Sequence, residues 1–202
     1  NIEFSSLAEC KHTADTGSEE LSGTSLWVDY IYLDTDERRR FAQSSHEYLI
    51  EQVQRSLETT AASGTSKFRL NFNHPVKELI WCVPATYTNE DAGAWRSYEA
   101  MSGDAKLVLN GHDRFKARSA AYFNYVQPYQ HHSGCPPANV YVYSFALNPE
   151  KHQPSGTCNF SRIDNAILEC GSMPTSKTAH IYAHNYNVLR IMSGMGGLAY
   201  SN

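Results

Sequence analysis

Short runs in which apolar and polar residues alternate, each followed by a turn, recur along most of the chain. The clearest covers residues 67–73, where Phe68, Leu70 and Phe72 fall on one face of an extended strand. Many short strands at turn-bounded intervals, with little helix, predict an all-β fold: an antiparallel jelly-roll sandwich with short helices in its loops. The other predicted strands are residues 1–9, 26–33, 47–54, 77–83, 105–109, 140–147, 158–163 and 180–192.

The segments between the strands give a few local predictions. Thr35 is expected to cap a short helix whose first turn is acidic, in keeping with the helix dipole. The arginines that follow, residues 38–40, form either a phosphate-binding patch or a solvated helix face, and the second interpretation is favoured. Residues 118–130 predict a short helical or irregular excursion, and residues 193–197 predict a flexible glycine segment.

Length and charge restrict the classes of function. A chain of 202 residues is long enough to bury about 70% of its unfolded surface without a disulfide or a metal. The net charge of -4, with only 17 Lys and Arg residues, disfavours a general nucleic-acid binder. We expect no signal peptide, and no apolar run approaches the ~20 residues of a membrane-spanning helix.

The five cysteines are Cys10, Cys82, Cys135, Cys158 and Cys170. No two of them have the Cys-x-x-Cys spacing of a zinc site or a redox motif. They are either free thiols in a reducing compartment or partners in disulfides. Because the set is odd in number and widely scattered, free thiols are favoured, which fits assembly in the cytosol.

The residues that could carry chemistry are not spaced for it. On a strand, His180 and His184 would lie about 13 Å apart, too far to share a metal ion. The adjacent residues His131 and His132 would point to opposite sides of an extended chain. The one Asn-x-Ser/Thr glycosylation acceptor, residues 159–161, lies in a predicted strand, so a chance match is favoured. We therefore predict no catalytic, cofactor-binding or metal-binding residues, and a protein that is not an enzyme.

The most distinctive stretches lie in order along most of the chain. They are residues 27–35 (WVDYIYLDT), 37–43, 46–52 (HEYLIEQ), 69–75 (RLNFNHP), 122–124, 126–130 (VQPYQ), 143–147 (YSFAL), 153–166 (QPSGTCNFSRIDNA) and 185–200. Together these stretches closely resemble the major capsid proteins of large icosahedral DNA viruses of eukaryotes, the chlorella-virus (phycodnavirus) type above all.

This resemblance implies a domain organisation. Proteins of this family are double jelly rolls, and three copies form a pseudo-hexagonal capsomer. By analogy, residues 1–33 would be the last two strands of a truncated first jelly roll. Residues 34–45 would be the connecting helix, and residues 46–202 the C-terminal jelly-roll domain. The loops at residues 84–103 and 169–178 are short and differ in composition, so features of the family's outer surface are not transferred.

The resemblance also implies a function. We expect a structural major capsid protein that forms a homotrimer and contacts neighbouring capsomers and minor capsid proteins. It would not contact nucleic acid directly, would reside in the virion shell and would assemble in the host cytoplasm. Residues 118–130 are a candidate for the trimer contact, although internal packing explains their aromatic residues equally well. The alternative is a carbohydrate-binding, lectin-like jelly-roll module, for which Trp95 with Glu90 and Asp91 would form the sugar-binding cluster.

Overall fold

The computed structural model describes residues 23–85 and 97–200. Within these ranges the chain forms eleven strands and four short helices. The strands are β1 (His46–Thr59), β2 (Ser66–Arg69), β3 (Pro75–Cys82), β4 (Asp104–Leu109), β5 (His112–Asp113), β6 (Arg118–Ser119), β7 (Tyr141–Ser144), β8 (Cys158–Asn159), β9 (Ala166–Cys170), β10 (Thr178–Met192) and β11 (Met195–Leu198). The helices are α1 (Thr35–Gln43), a π-helix (Tyr122–Val126), α2 (Gln127–His131) and a 3-10 helix (Phe160–Arg162).

The strands form two antiparallel sheets. One is six-stranded, in the order β1-β10-β3-β7, with β11 beside β10 and β8 beside β3. The other is five-stranded, in the order β2-β9-β4-β5, with β6 beside β4. The first four strands of the chain alternate between the sheets, and this is the jelly-roll arrangement. The predicted all-β antiparallel sandwich is confirmed.

The hydrophobic core lies between the two sheets because alternate residues of each strand point inward. Trp81 of β3 is 1% exposed and packs against Phe123 of the π-helix, with ring centroids 5.2 Å apart. The predicted excursion at residues 118–130 begins with the short strand β6 and is helical from Tyr122 onward, and Phe123 anchors it in the core. The sheets contribute the largest other buried apolar side chains: Phe68, Leu79, Leu107, Leu168 and Ile181.

Helix α1 begins one residue away from the predicted cap. Asp34 is the N-cap, and its side chain accepts a hydrogen bond from the backbone N–H of Glu37 at 2.8 Å. The prediction of Thr35 was wrong because Thr35 is already helical, whereas Asp34 is extended and its carboxylate reaches the free N–H groups of the first turn. The helix has no buried residue, which agrees with a solvated face for the arginines.

Three other local predictions differ from the structure. Residues 26–33 form no strand with any described residue, and the predicted partner strand, residues 1–9, lies outside the described ranges. The run at residues 158–163 is a strand only as far as Asn159, whose side chain accepts a hydrogen bond from Ser161 N and starts the 3-10 helix. The glycine segment at 193–197 turns back and pairs with β10 as strand β11.

Candidate functional site

Charged side chains cross the outer face of the six-stranded sheet in a continuous row. Leu79 and Ala183 point into the core, so their neighbours Glu78 and His184 point away from it. We call the following five residues the ion-pair row: His132, Glu78, His184, Glu51 and Lys77. They come from the segment after α2 and from strands β3, β10 and β1.

The contacts along the ion-pair row are short. His132 Nε2 lies 2.7 Å from Glu78 Oε2, and His184 Nδ1 lies 3.0 Å from Glu78 Oε1. The other ring nitrogen of His184 lies 3.0 Å from Glu51 Oε2. Lys77 Nζ then contacts Glu51 Oε1 at 2.9 Å, and His152 joins from the side at 3.4 Å. Each carboxylate is therefore bound by at least two nitrogen-bearing side chains.

Burial makes these charges depend on one another. Glu78 has only 8% of its side chain exposed, and this burial alone would raise its pKa. Hydrogen bonds from His132 and His184 outweigh burial and lower the pKa of Glu78 to about 2. The same hydrogen bond raises the pKa of His132. Glu78 is therefore ionised over the whole physiological range.

Lys77 is the most buried charge of the row, with 1% of its side chain exposed. A local irregularity in the pairing of β3 with β10 puts Lys77 and Glu78 on the same side of the sheet. The ammonium lies 5.1 Å from the centre of the Tyr186 ring, a cation–π contact, and forms an ion pair with Glu51.

The row distributes its charges in pairs and does not gather them around one point. Within residues 23–85 and 97–200, no three His, Cys, Asp or Glu side chains converge as a metal ion requires. His180 contacts Tyr182 Oη at 3.3 Å, and His131 contacts the carbonyl oxygen of Leu147 at 3.0 Å. The absence of catalytic, cofactor-binding and metal-binding residues stays a prediction.

Sequence reasoning examined His132 and His184 but missed their partners. Glu78 lies 54 positions before His132 and 106 before His184, so no local spacing pattern joins them. The one available signal was a Lys-Glu pair inside the otherwise apolar strand β3. Charged residues are almost never fully buried unless they are paired. A Lys-Glu pair in a buried strand therefore indicates that oppositely charged partners exist, but not which residues they are.

The cysteines in the described ranges are Cys82, Cys135, Cys158 and Cys170, and all are free thiols. Burial raises the pKa of Cys82 to about 11 and also raises the pKa of Cys158 and Cys170. A thiol with a raised pKa is a poor nucleophile at neutral pH. Cys10 lies outside the described residues.

The predicted sugar-binding cluster of Glu90, Asp91 and Trp95 also lies outside the described residues. Asn159, in the glycosylation acceptor motif, is exposed, and its side-chain oxygen is already used in the turn before the 3-10 helix. Neither feature adds a binding site to the described part of the fold.

The helical excursion exposes an apolar surface. We call the following four exposed residues the tyrosine patch: Tyr125, Val126 and Tyr129 of the excursion, and Leu147, whose carbonyl oxygen contacts His131. Tyr129 is 84% exposed and Tyr125 62%. The backbone below them is fixed, because Gln127 accepts a hydrogen bond from Ser144 N at 3.0 Å. Two exposed tyrosines on a rigid helix are typical of a protein contact surface.

Residues 37–197 match the family profile of the large eukaryotic DNA virus major capsid protein. The chain belongs to this family. Of the helices in residues 23–85 and 97–200, none is both long and apolar enough to span a lipid bilayer.

Individual members of the family are similar to almost the whole chain. The chain is 50% identical to the major capsid protein of Pyramimonas orientalis virus, in an alignment that covers 100% of this chain and 54% of that protein. It is 46% identical to the major capsid protein of Paramecium bursaria Chlorella virus 1, over 92% of this chain and 57% of that protein. The chain therefore spans a little over half the length of the curated relatives it matches.

Solved structures show the same fold. The crystal structure of PBCV-1 VP54, fitted into a cryo-EM reconstruction of the virophage Sputnik, superposes with a TM-score of 0.75 at 42% identity, over 93% of this chain and 60% of that one. The Faustovirus major capsid protein superposes with a TM-score of 0.52 at 16% identity and shares the fold alone. These relatives do not favour the lectin-like alternative.

Proposed function

We propose that this chain is part of a structural major capsid protein located in the virion shell. The match of residues 37–197 to the capsid family carries the proposal, and the superposition on PBCV-1 VP54 supports it. The physical role would be to supply a rigid sandwich that stacks beside identical copies. Weak edge contacts between copies would add up over a large assembly.

The finer proposal is a homotrimer that forms a pseudo-hexagonal capsomer. Neighbouring capsomers and minor capsid proteins would be its partners, and assembly would take place in the host cytoplasm. The net charge of -4 argues against direct binding to nucleic acid, which favours basic surfaces. Its role would be mechanical, with no catalysis.

The proposed domain organisation has residues 1–33 in a first jelly roll, residues 34–45 as the connecting helix and residues 46–202 as the second jelly roll. Two observations support it. Trp27 and Tyr32 are 92% and 91% exposed, and such large apolar side chains are expected to pack on another surface. The chain also spans only part of its relatives' length, which leaves room in the whole protein for another domain.

The tyrosine patch is the proposed trimer contact on this domain. Phe123 of the same excursion is buried, so internal packing already accounts for the inward side of the helices. Packing within the described part of the chain leaves Tyr125 and Tyr129 largely exposed. Aromatic residues at the centre of an interface often dominate its binding energy.

Analytical ultracentrifugation of the full-length protein tests this proposal. We expect a trimer for the wild type and dissociation toward monomer for Tyr129→Ser. The matched control is Tyr200→Ser. Tyr200 is also exposed, at 63%, but lies near the C-terminal end of the described residues, and we expect this variant to stay trimeric. A wild type that is monomeric at micromolar concentration would contradict the trimer, and a trimeric Tyr129→Ser would contradict the assignment of the contact.

A further inference from the structure

Two loops flank strand β7 at the edge of the six-stranded sheet. We call residues 132–140 and 145–157 the flanking loops. The first contributes His132 to the ion-pair row, and the second contributes His152, which contacts Glu51. A hydrogen bond from Ser133 N to Glu150 Oε2, at 3.0 Å, joins the two loops. The ion-pair row is therefore a set of side-chain contacts that holds both loops to the sheet.

These contacts depend on the protonation of histidine. Both ring nitrogens of His184 lie 3.0 Å from a carboxylate oxygen, one from Glu78 and one from Glu51. A neutral imidazole carries a single N–H and can donate only one of these hydrogen bonds, whereas the imidazolium donates both. The two contacts together therefore offer more acceptors than a neutral ring has N–H groups.

His132 has a less balanced environment. Its Nε2 is paired with Glu78, but its buried Nδ1 has no hydrogen-bond partner among the described residues. Burial of this unpaired nitrogen disfavours the charged ring, so Glu78 supplies the interaction that keeps His132 protonated. Without the proton, the contact with Glu78 is no longer an ion pair, and only a hydrogen bond from the neutral ring to the carboxylate can remain.

The charged groups around the ion-pair row determine whether the loop contacts weaken at high or at low pH. The basic side chains are His132, His152, His184 and Lys77; the carboxylates are Glu51, Glu78 and Glu150; the remaining titratable group is the phenol of Tyr186. When all three histidines are protonated, four cations face the three carboxylates. With neutral histidines, three carboxylates share one ammonium, and their mutual repulsion acts across the loop contacts.

We propose that the ion-pair row is a pH-dependent attachment of the flanking loops: loss of the proton from His132 releases the loops while the sandwich core stays folded. The core is unaffected because its side chains lie on the opposite face of the sheet and are apolar. The attachment acts within one subunit and does not require the proposed trimer.

The direction with pH follows from linkage. The hydrogen bond to Glu78 raises the pKa of His132, and burial opposes this only in part. A raised folded-state pKa gives a stabilising contribution that is complete below the ordinary histidine value of about 6.5 and is lost as pH rises through the raised value. In that window, each proton released increases the opening constant by up to about tenfold per pH unit.

Hydrogen exchange measured by mass spectrometry tests the proposal on the intact protein. Protection factors, corrected for the intrinsic exchange rate, are compared at about pH 6 and about pH 9, on either side of the histidine window. We expect peptides from the flanking loops to lose protection by about tenfold or more. A peptide covering β9 (Ala166–Cys170), in the other sheet, should keep its protection.

Two variants separate the ion-pair row from other causes. His132→Gln should lower loop protection already at the lower pH and remove most of its pH dependence. His112→Gln is the matched control, because His112 is exposed on β5 in the other sheet, and it should behave as wild type. Equal loop protection at both pH values in the wild type would overturn the proposal. So would an unchanged pH dependence in His132→Gln, or a parallel loss of protection in β9.

Discussion

Glu78 and His132 lie 2.7 Å apart although 54 residues separate them in the sequence. One comes from the middle of a core strand and the other from the segment just after a short helix. The contact attaches the segment after helix α2 to strand β3 of the six-stranded sheet. Because the carboxylate is almost fully buried, its replacement is expected to have a large effect.

Glu78→Gln should destabilise the protein by about 3–5 kcal/mol, because it leaves the partly buried His132 without a countercharge and His184 with Glu51 alone. Denaturant unfolding measures the change. Glu47→Gln is the matched control, since Glu47 and Arg190 form an ion pair in which both side chains are about half exposed. That variant should change the stability by no more than about 1 kcal/mol. Equal effects of the two variants would contradict the role of burial.

Stability should fall in acid through the same residue. The folded-state pKa of Glu78, about 2, is below its ordinary value of 4.5. A lowered pKa gives a contribution that is complete above about pH 4.5 and is lost as pH falls through about 2. Thermal unfolding followed over this range should therefore show a shallower acid decline for Glu78→Gln than for the wild type. Parallel curves would show that Glu78 does not titrate as described.

Gly103 tests the closeness of the two chain segments that cross near β4. A Cβ added at this position would lie 2.5 Å from the backbone carbon of Gly171. Gly103→Ala should therefore destabilise the fold by about 1–3 kcal/mol. Gly134→Ala adds the same methyl group where no atom lies within 4 Å, and it should be nearly neutral. Thermal unfolding of both variants checks this difference.

Phe123 and Tyr125 belong to the same π-helix, but substituting them should affect different properties. Substitution of Phe123 should lower the stability of the fold, and substitution of Tyr125 should weaken the trimer contact. Phe123 is fully buried against Trp81, so Phe123→Ala should lower the free energy of unfolding by about 3–5 kcal/mol. Tyr125 is 62% exposed, so Tyr125→Ala should change the stability by no more than about 0.5 kcal/mol and weaken only the trimer. A large loss of stability in Tyr125→Ala would contradict the division between core and contact surface.

Deleting residues 1–33 tests the proposed domain boundary. The first buried apolar residue of the described ranges is Phe68. The side chains of residues 24–33 are all exposed and take no part in the core. The remaining domain should therefore keep a cooperative thermal transition and the circular dichroism of a β-sandwich. Unfolding of the shortened protein would place those residues inside the second jelly roll and refute the boundary.

The sequence predicted the sandwich because its signals are local. Phe68, Leu70 and Phe72 alternate and are all buried, even though β2 itself ends at Arg69. Where one polar side chain decides the backbone, prediction was less successful. Asn159 ended a predicted strand by accepting one hydrogen bond from Ser161 N.

The ion-pair row could not be predicted because its contacts are made across strands. His184 reaches Glu78 and Glu51 only after β10 has paired with β3 on one side and β1 on the other. An adjacent Lys77 and Glu78 in a buried strand indicated that partners exist. Identifying these partners requires the register of three strands and the position of a loop. The hydrophobic periodicity of the sequence gives neither.

We propose that this domain is a rigid structural unit of a trimeric capsid subunit. Electron microscopy of the purified full-length protein shows the symmetry of the particle. We expect class averages with three-fold symmetry and a pseudo-hexagonal outline, as three double jelly rolls would produce. Isolated two-lobed particles without three-fold symmetry, at concentrations where the protein is stable and folded, would contradict the trimer.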